Sequence, residues 1–280
     1  MARLSLNGHS YSISHTLQPE GPHTTREDDY SFQETYVITA LLQGGGSCFV
    51  EGNRHDLEPG DLVLLRPQEL RCYRYRAGGV HERMSIYLRP AFLSYLWERG
   101  YEISLLKPFR DHPPGVGNVI RLESGPRARA MEILREIRTL MQSEDPLREA
   151  QIHLLLLQLL MLLYRAVQST QTEGAPYNDP AIRRVCEYIQ KNLSETLSHE
   201  HIRANCHVSR YQLSEVFPKS TGMTLTEYIL QKRLIKVAEL VRNGAGIERA
   251  AGDAGFHNYS HFYKEFVKHK GTSPRKYFKK

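Results

Sequence analysis

The sequence predicts an α+β protein with an N-terminal β-barrel, helices that follow it, and an all-α C-terminal domain. Three features predict this architecture: short β-rich runs separated by turns, a change to helical periodicity near residue 127, and a basic excess at one end. Residues 178–280 carry 18 Lys and Arg against 10 Asp and Glu, whereas the 177 residues before them carry 19 against 21. This asymmetry favours a nucleic-acid or other anionic partner for one domain, and a merely solvated basic face is the alternative.

The segment between Tyr36 and Leu88 has the pattern of a small all-β domain. Its β-rich runs include ETYVITALL, SCFVEG and DLVLLRP, and they are separated by GGG, by Gly52-Asn53 and by a Pro-Gly pair. Gly and Pro at such short intervals are typical of a sandwich or barrel. We therefore assign residues 1–125 to a barrel.

Two amphipathic helices are predicted after the barrel, at residues 127–141 and 146–168, within a helical segment of residues 126–168. In the first, apolar residues recur at three- and four-residue steps. The second has a wider apolar face, from Ile152 to Leu163, which suits contact with more than one surface. This second helix either covers the open side of its own barrel or pairs two chains.

Residues 169–179 are predicted to be a flexible linker, because they are polar, contain Gly and Pro, and show no periodicity. The domain that follows spans residues 180–280. Asp179 and Pro180 supply the N-cap and the first residue of a supporting helix, on which Ile182, Val185 and Ile189 form one apolar stripe.

The cysteines and the apolar runs favour a soluble intracellular protein. The four cysteines lie far apart without a C-x-x-C pair, which argues against a disulfide scaffold and a zinc knuckle. The N-terminus lacks the pattern of a signal peptide. The most apolar run, Leu154 to Leu163, has about half of the ~20 residues that cross a bilayer. We expect a cytoplasmic protein without a membrane partner.

The C-terminal domain begins with a pair of short helices. Ser198 caps the first, which reaches Cys206, and Ser209 caps the second after a turn at His207. Two helices separated by a tight turn are the helix-turn-helix pattern.

The same pattern returns after a long helix. That helix starts at Thr224 or Thr226 and ends at Asn243-Gly244. In the second unit Gly255 forms the turn, and Asn258 caps a helix with inward-facing phenylalanines. The domain therefore contains two helix-turn-helix units.

The order and spacing of these blocks resemble the AraC/XylS family of bacterial transcription regulators. The likeness covers about residues 180–277. It is carried by VSRYQLSEVF from Val208, TGMTLTEYI from Thr221, KRLIKVA from Lys232, and AGFHNYSHFYKEF from Ala254 with a following GTSP.

The first unit departs from the family pattern at two positions. Arg203 stands where a small residue is usual, and Pro218 stands where a basic residue generally follows the Phe. Because proline in a helix interior costs about 3 kcal/mol, we expect a short or bent first recognition helix. In the second unit Ala251 keeps the small residue.

By this resemblance, the second helix of each unit enters the major groove of double-stranded DNA. The exposed positions expected in the first unit are Arg210, Tyr211, Gln212, Ser214 and Glu215. Those expected in the second unit follow the Asn258 cap and are Tyr259, Ser260, His261, Tyr263 and Lys264. Candidates for phosphate contact are Lys219, Lys232, Arg233, Lys268, Lys270, Lys279 and Lys280.

Several of these roles have alternatives. Tyr211, Ser214 and Glu215 match the family's base-reading positions, although a carboxylate such as Glu215 near phosphates is also repelled. Lys264 can reach a guanine or a phosphate, and Tyr259 can instead be a core residue. Two units joined by a stiff helix suit successive major-groove segments ~34 Å apart.

The segment DLEPGDLVLLRP, residues 56–67, resembles the strand-turn-strand element of the cupin-type sensor barrel found in many family members. Tyr36, Arg71, Tyr73 and Arg83 are the predicted lining groups, with outward placement as the alternative. Tyr and Arg suit a sugar or a small organic acid as ligand. The predicted barrel lacks the H-x-H pattern of metal cupins, and its His15, His23, His55 and His81 are isolated, so no metal or cofactor is expected.

The resemblance implies a ligand-responsive transcription regulator and not an enzyme. Its expected partners are promoter DNA, a small-molecule effector, a second copy of the chain, and RNA polymerase. We favour activation over repression. The competing classes are a metal cupin, a DNA-alkyl transferase and an architectural DNA protein. A DNA-alkyl transferase needs a reactive Cys that a metal ion or a base activates. An architectural DNA protein has no need of a separate non-basic barrel.

Overall fold

A computed structural model describes residues 2–18, 26–31, 33–76, 79–169 and 179–279. Strands and short connections make up most of its N-terminal part. The strands are β1 (Ala2–Asn7), β2 (Tyr11–Gln18), β3 (Arg26–Ser31), β4 (Tyr36–Gln43), β5 (Gly46–Val50), β6 (Asn53–Leu57), β7 (Leu62–Leu65), β8 (Arg71–Tyr75), β9 (His81–Leu88) and β10 (Val119–Ile120). Strands β1 to β3 precede the first strand that the sequence pattern predicts.

The strands form two antiparallel sheets. The first has the order β1-β2-β9-β4-β7-β10, and the second has the order β3-β8-β5-β6. The first six residues of β4 are all buried, because helices cover one face of this sheet and the second sheet covers the other. A strand that is buried on both faces carries a continuous apolar run instead of an alternating one.

The inner faces of the two sheets meet in an apolar interior. Its buried members come from both sheets and are Val37, Leu41, Cys48, Val50, Leu57, Val63, Leu65 and Tyr73. Two facing sheets around a shared interior, followed by helices, confirm the predicted fold class of the N-terminal half. We call this half the sensor domain, after the role that the sequence resemblance implies.

Five helices complete the sensor domain: α1 (Pro90–Glu98), α2 (Glu102–Leu105), α3 (Lys107–Arg110), α4 (Ser124–Leu140) and α5 (Arg148–Ser169). The two long predicted helices, α4 and α5, are confirmed within a few residues. Both pack on the outer face of the first sheet, where Leu134 and Leu156 join Ile38 and Met84 in one apolar cluster. Helix α5 therefore covers its own sheet.

Helix α5 also has an uncovered side. Within the described ranges it is the one helix whose length and composition would allow it to cross a membrane, and a third of that stretch is buried in the protein. Leu154 and Met161, with Leu147 just before the helix, are exposed at seven-residue steps. These three residues form an apolar stripe on the outer side of α5.

The C-terminal half is all α-helical. Its elements are α6 (Pro180–Lys191), α7 (His199–Cys206), a π-helical segment (Gln212–Val216), α8 (Phe217–Thr221), α9 (Leu225–Arg242), α10 (Ile247–Asp253), α11 (Tyr259–Lys270) and α12 (Pro274–Phe278). One apolar core joins them, with Phe217, Tyr228 and Phe262 among its fully buried members. The predicted all-α domain is confirmed, and we call it the DNA module, after the role that the sequence resemblance implies. Of the predicted linker, residues 170–178 lie outside the described residues.

Candidate functional site

The first helix-turn-helix unit is built by local capping. The Ser198 hydroxyl accepts from the His201 N–H at the start of α7. His207 then adopts the left-handed conformation, with φ 51° and ψ 51°, and turns the chain. Ser209 and Gln212 cap the next helix reciprocally, since each side chain accepts from the other residue's backbone N–H. Gln212 is thus held at the helix start.

In the first unit, the helix that is predicted to enter the major groove changes from α-helical to π-helical before Pro218. Residues Gln212–Val216 are π-helical, and the Phe217 N–H bonds to the Gln212 carbonyl. In a regular α-helix, proline lacks the N–H that would bond the carbonyl four residues earlier, and its ring collides with that carbonyl. The wider π-helical turn before Pro218 leaves room for the proline ring. The expected disturbance is therefore a π-helical turn within a continuous helix.

One side of this helix is buried and the other faces solvent. Leu213 and Phe217 lie in the core of the DNA module. Tyr211 is 63% exposed, and Arg210, Ser214, Glu215 and the nearby Lys219 are exposed as well. We call these exposed residues, together with the half-buried Gln212, the first recognition face.

The second unit repeats the arrangement on α11. The Asn258 side chain accepts from the Ser260 N–H and caps the helix. Phe262 and Phe266 are fully buried. The opposite side of the helix is exposed, and its residues Tyr259, Ser260, His261, Tyr263, Lys264 and Lys268 form the second recognition face. Tyr259 also touches the core, because its ring centroid lies 5.5 Å from that of Phe262.

Helix α9 joins the two units. It runs for 18 residues and starts with a complete capping box, in which Thr224 and Glu227 each bond the other's backbone N–H. Thr224 is therefore the helix start, of the two that the sequence allowed. Arg233, a phosphate candidate, instead donates to the carbonyls of Leu193 and Glu195 and ties α9 to the segment after α6.

Two further phosphate candidates are turned towards the sensor domain. Lys232 forms an ion pair with Glu51. Burial lowers the pKa of Lys270 to about 8, and Glu34 and Arg71 of the sensor domain lie close enough to shift it further in opposite directions. These two lysines are therefore removed from the set expected to contact DNA.

The predicted ligand-lining residues divide between the two faces of the sheets. Tyr36 lies on the outer face of the first sheet, where its ring packs edge-on against Phe109 at 5.2 Å and its hydroxyl accepts from Arg110. Tyr36 therefore has the outward placement, the alternative that the sequence left open, and the neighbouring strand residue Val37 faces the interior.

Tyr73 and Arg83 share the space between the sheets. The Arg83 guanidinium lies 5.9 Å from the Tyr73 ring centroid and donates to the Tyr75 hydroxyl at 2.5 Å. Burial raises the pKa of Tyr73 well above its usual range, and the nearby Thr39 hydroxyl lowers it slightly. Within the described ranges, the Tyr73 hydroxyl makes no hydrogen bond of good geometry. Arg71 is buried beside the same interior.

The isolated histidines have structural partners. His15 pairs with Glu82 at 2.8 Å, while His55 and His81 bond the carbonyls of Gly115 and Arg76. His23 lies outside the described residues. Groups of three or more potential metal ligands are not found among the described side chains.

Two family models match the chain. The model described as an AraC-like ligand binding domain matches residues 21–178, and a helix-turn-helix domain model matches residues 204–280. Together they cover both halves of the described architecture.

Curated relatives match along most of their length. The Msm operon regulatory protein of Streptococcus mutans is 26% identical, over 89% of this chain and 87% of its own. The transcriptional activator RhaS of Escherichia fergusonii is 21% identical, over 94% and 91%. Among solved structures, fatty-acid-bound ToxT of Vibrio cholerae is 13% identical, covers 98% of this chain and 96% of its own, and has a TM-score of 0.45.

Proposed function

Since the chain belongs to the AraC family of transcription regulators, with a ligand-binding domain followed by a helix-turn-helix DNA-binding domain, we propose that its two recognition faces read promoter DNA. One observation carries this proposal. In both units a capped helix buries its phenylalanines and leaves one side open to solvent, with cations beside it. Helices presented in this way fit successive turns of the major groove, ~34 Å apart.

We expect Tyr211→Ala and Lys264→Ala each to weaken binding to promoter DNA by at least ~5-fold. A lost base contact removes about 1–3 kcal/mol of discrimination at one base pair. A lost phosphate contact weakens binding to all sequences and reduces the salt dependence by about one counterion. Binding to a library of promoter variants at two salt concentrations separates these cases.

Matched controls are available on the sensor domain. Tyr101 is 46% exposed, and Arg99 carries an exposed charge next to it. Tyr101→Ala and Arg99→Ala should leave DNA binding within ~2-fold of the unchanged protein. If Tyr211→Ala and Lys264→Ala both keep the original sequence preference, the assignment of the recognition faces is wrong.

We propose that a sugar or a small organic acid binds between the two sheets of the sensor domain. Arg83 and Tyr73 supply a cation and hydroxyl groups in an otherwise apolar interior, and such a combination holds a hydroxylated or anionic small molecule. A thermal-shift screen of monosaccharides and small carboxylic acids identifies the class. A ligand at a hundred times its Kd adds about 2.7 kcal/mol to the free energy of unfolding.

We propose that the chain forms a homodimer through the apolar stripe of α5. Leu147, Leu154 and Met161 are 63%, 60% and 41% exposed, and a seven-residue spacing is that of a helix packing along a second helix. Beside the stripe, α4 and α5 enclose a cleft of about 550 Å³ that Met161 and Ile133 line. The cleft offers room for side chains of the partner chain.

The substitution Leu154→Glu is expected to raise the dimer dissociation constant by at least ~10-fold, because it places a charge in an apolar contact. Sedimentation velocity over a range of protein concentrations measures the change. Leu17→Glu, at a leucine on β2 that is 36% exposed, is the control and should leave the dimer intact. A monomeric unchanged protein, or an equally stable Leu154→Glu dimer, excludes this interface.

We propose that the protein acts in the cytoplasm as an activator that contacts RNA polymerase. The relatives named as transcriptional activators support activation. Transcription from the bound promoter with purified polymerase tests the direction of the effect, since a repressor lowers the transcript yield.

A further inference from the structure

The sensor domain contacts the DNA module through the turn between β5 and β6. Glu51, in this turn, is 7% exposed although it is charged. Its carboxylate receives the Lys232 ammonium of α9, the Leu70 N–H at 2.8 Å, and the Gln190 amide of α6 at 3.4 Å. Three donors from three parts of the chain therefore converge on one buried acid.

Close packing surrounds this ion pair. Gly52 has φ +83°, and a side chain at this position would lie 3.2 Å from the Cys186 sulfur and 3.3 Å from Thr221. Leu70 of the sensor domain belongs to the apolar core of the DNA module. The turn is therefore packed into the DNA module. The ion pair between Glu51 and Lys232 is not a surface contact between two solvated charges.

The same domain reaches the far end of the first recognition helix. Arg74 of β8 donates to the carbonyl of Gly222, directly after α8. The exposed Tyr211 lies eleven residues before Gly222, so roughly 16 Å of helix separates the base-facing end from the held end. The sensor domain therefore holds this helix without covering its recognition face.

The second recognition helix is contacted at its corresponding end. Lys270 is the last residue of α11, and Glu34 and Arg71 of the sensor domain lie beside it. Glu34 also forms a side-chain hydrogen bond with Tyr277 of α12, the helix that follows α11. Tyr259 starts the 12-residue α11, so the N-terminal end of the second recognition face lies roughly 16 Å from this contact.

We propose that the sensor domain is a clamp that fixes the distance and orientation between the two recognition helices, with Glu51 and Lys232 as its positioning pair. This inference rests on the proposed DNA binding. Since the sensor domain lies against the C-terminal ends of both helices, undocking it leaves α9 alone to set their spacing. The protein with its clamp in place then binds most tightly to DNA in which the two contacted segments have one particular separation.

The test uses the full chain and two DNA duplexes that carry the preferred promoter sequence. One duplex keeps the natural separation, and the other has roughly 5 bp, half a helical turn, inserted between the two contacted segments. The unchanged protein should bind the natural duplex at least ~30-fold more tightly. In Glu51→Gln the ratio of the affinities for the natural and the lengthened duplex should fall by about 10-fold. Its binding to a duplex that carries only the segment contacted by the second recognition face should stay within ~2-fold of that of the unchanged protein.

Two further variants separate the clamp from a general loss of structure. Lys232→Met should lower the ratio as Glu51→Gln does, and the double variant should be no worse than either one, because both remove the same interaction. Lys236→Met, one turn further along α9 and paired with Glu239, should keep the full ratio.

The possible failures are distinguishable. If the unchanged protein binds neither duplex, the proposed DNA binding fails. If it binds both equally, or if Glu51→Gln and Lys232→Met keep the full ratio, DNA binding stands and the clamp is overturned. Thermal unfolding of each variant shows whether it folds, and the second-segment duplex shows whether its DNA module still binds.

Discussion

Gly255→Ala is expected to unfold the second helix-turn-helix unit and to abolish DNA binding by it. Gly255 turns the chain with φ +93°, and an added Cβ would lie 2.1 Å from the Leu193 carbonyl oxygen and 2.8 Å from the Arg233 Nε. Arg233 bonds that same carbonyl, so any movement also breaks this contact. Left-handed strain and the lost hydrogen bond together cost on the order of 3 kcal/mol or more.

Gly252 supplies a matched control three residues earlier. It lies in α10 with nothing within 4 Å of an added Cβ, so Gly252→Ala should raise the free energy of unfolding by about 0.5–1 kcal/mol. Urea unfolding followed by circular dichroism measures both variants. Equal stability of Gly255→Ala and the unchanged protein would show that the turn relaxes without strain.

Lys270→Met is expected to stabilise the protein at neutral pH. Burial of the ammonium, beside the charge of Arg71, lowers the pKa of Lys270 to about 8, and Glu34 opposes this shift only in part. A fall from 10.5 to about 8 corresponds to at most roughly 3 kcal/mol. The ammonium keeps some contact with solvent, so we expect a gain of about 2 kcal/mol from the substitution.

The effect has a defined pH dependence. Below pH 8 Lys270 is protonated in both the folded and the unfolded state, so the folded state bears the full cost. Between pH 8 and about 10.5 the folded state has released the proton and the unfolded state still holds it, so stability rises with pH by about 1.4 kcal/mol per unit. The advantage of Lys270→Met should therefore shrink over this range.

Unfolding of both proteins in urea at pH 7, 8, 9 and 10 tests this expectation. The difference between the two proteins is the informative quantity, because the buried cysteine thiols also titrate with raised pKa values and affect both equally. Lys268→Met, at an exposed position of the same helix, should show no such trend. A constant difference from pH 7 to pH 10 would mean that the Lys270 pKa is normal.

The sequence predicted the features that depend on neighbouring residues. The caps at Asp179, Ser198, Ser209 and Asn258 are confirmed, because a capping side chain bonds a backbone N–H two or three residues away. The helical periodicity of α4 and α5 predicted those helices for the same reason. The resemblance of the C-terminal blocks to a known family was sufficient to predict the fold class.

The sequence pattern could not assign faces in the sheet. Strand β4 is buried on both sides, so its apolar run carries no alternation to show which residues face the interior. The sequence therefore left both placements of Tyr36 open. The bend expected at Pro218 is a π-helical turn, and the proline alone did not predict this form, because a helix can accommodate a proline in several ways.

What the sequence determined by itself is the set of elements: capped helices, short strands and a basic second domain, each fixed by contacts between residues close in the chain. The tertiary structure alone shows which of the basic residues have partners within the protein. Lys232 pairs with a carboxylate 181 positions away in the chain, and Lys270 is half-buried near Glu34 and Arg71 of the sensor domain. The sequence shows that a lysine carries a charge. Whether that charge can reach a binding partner depends on what the rest of the chain packs against the lysine.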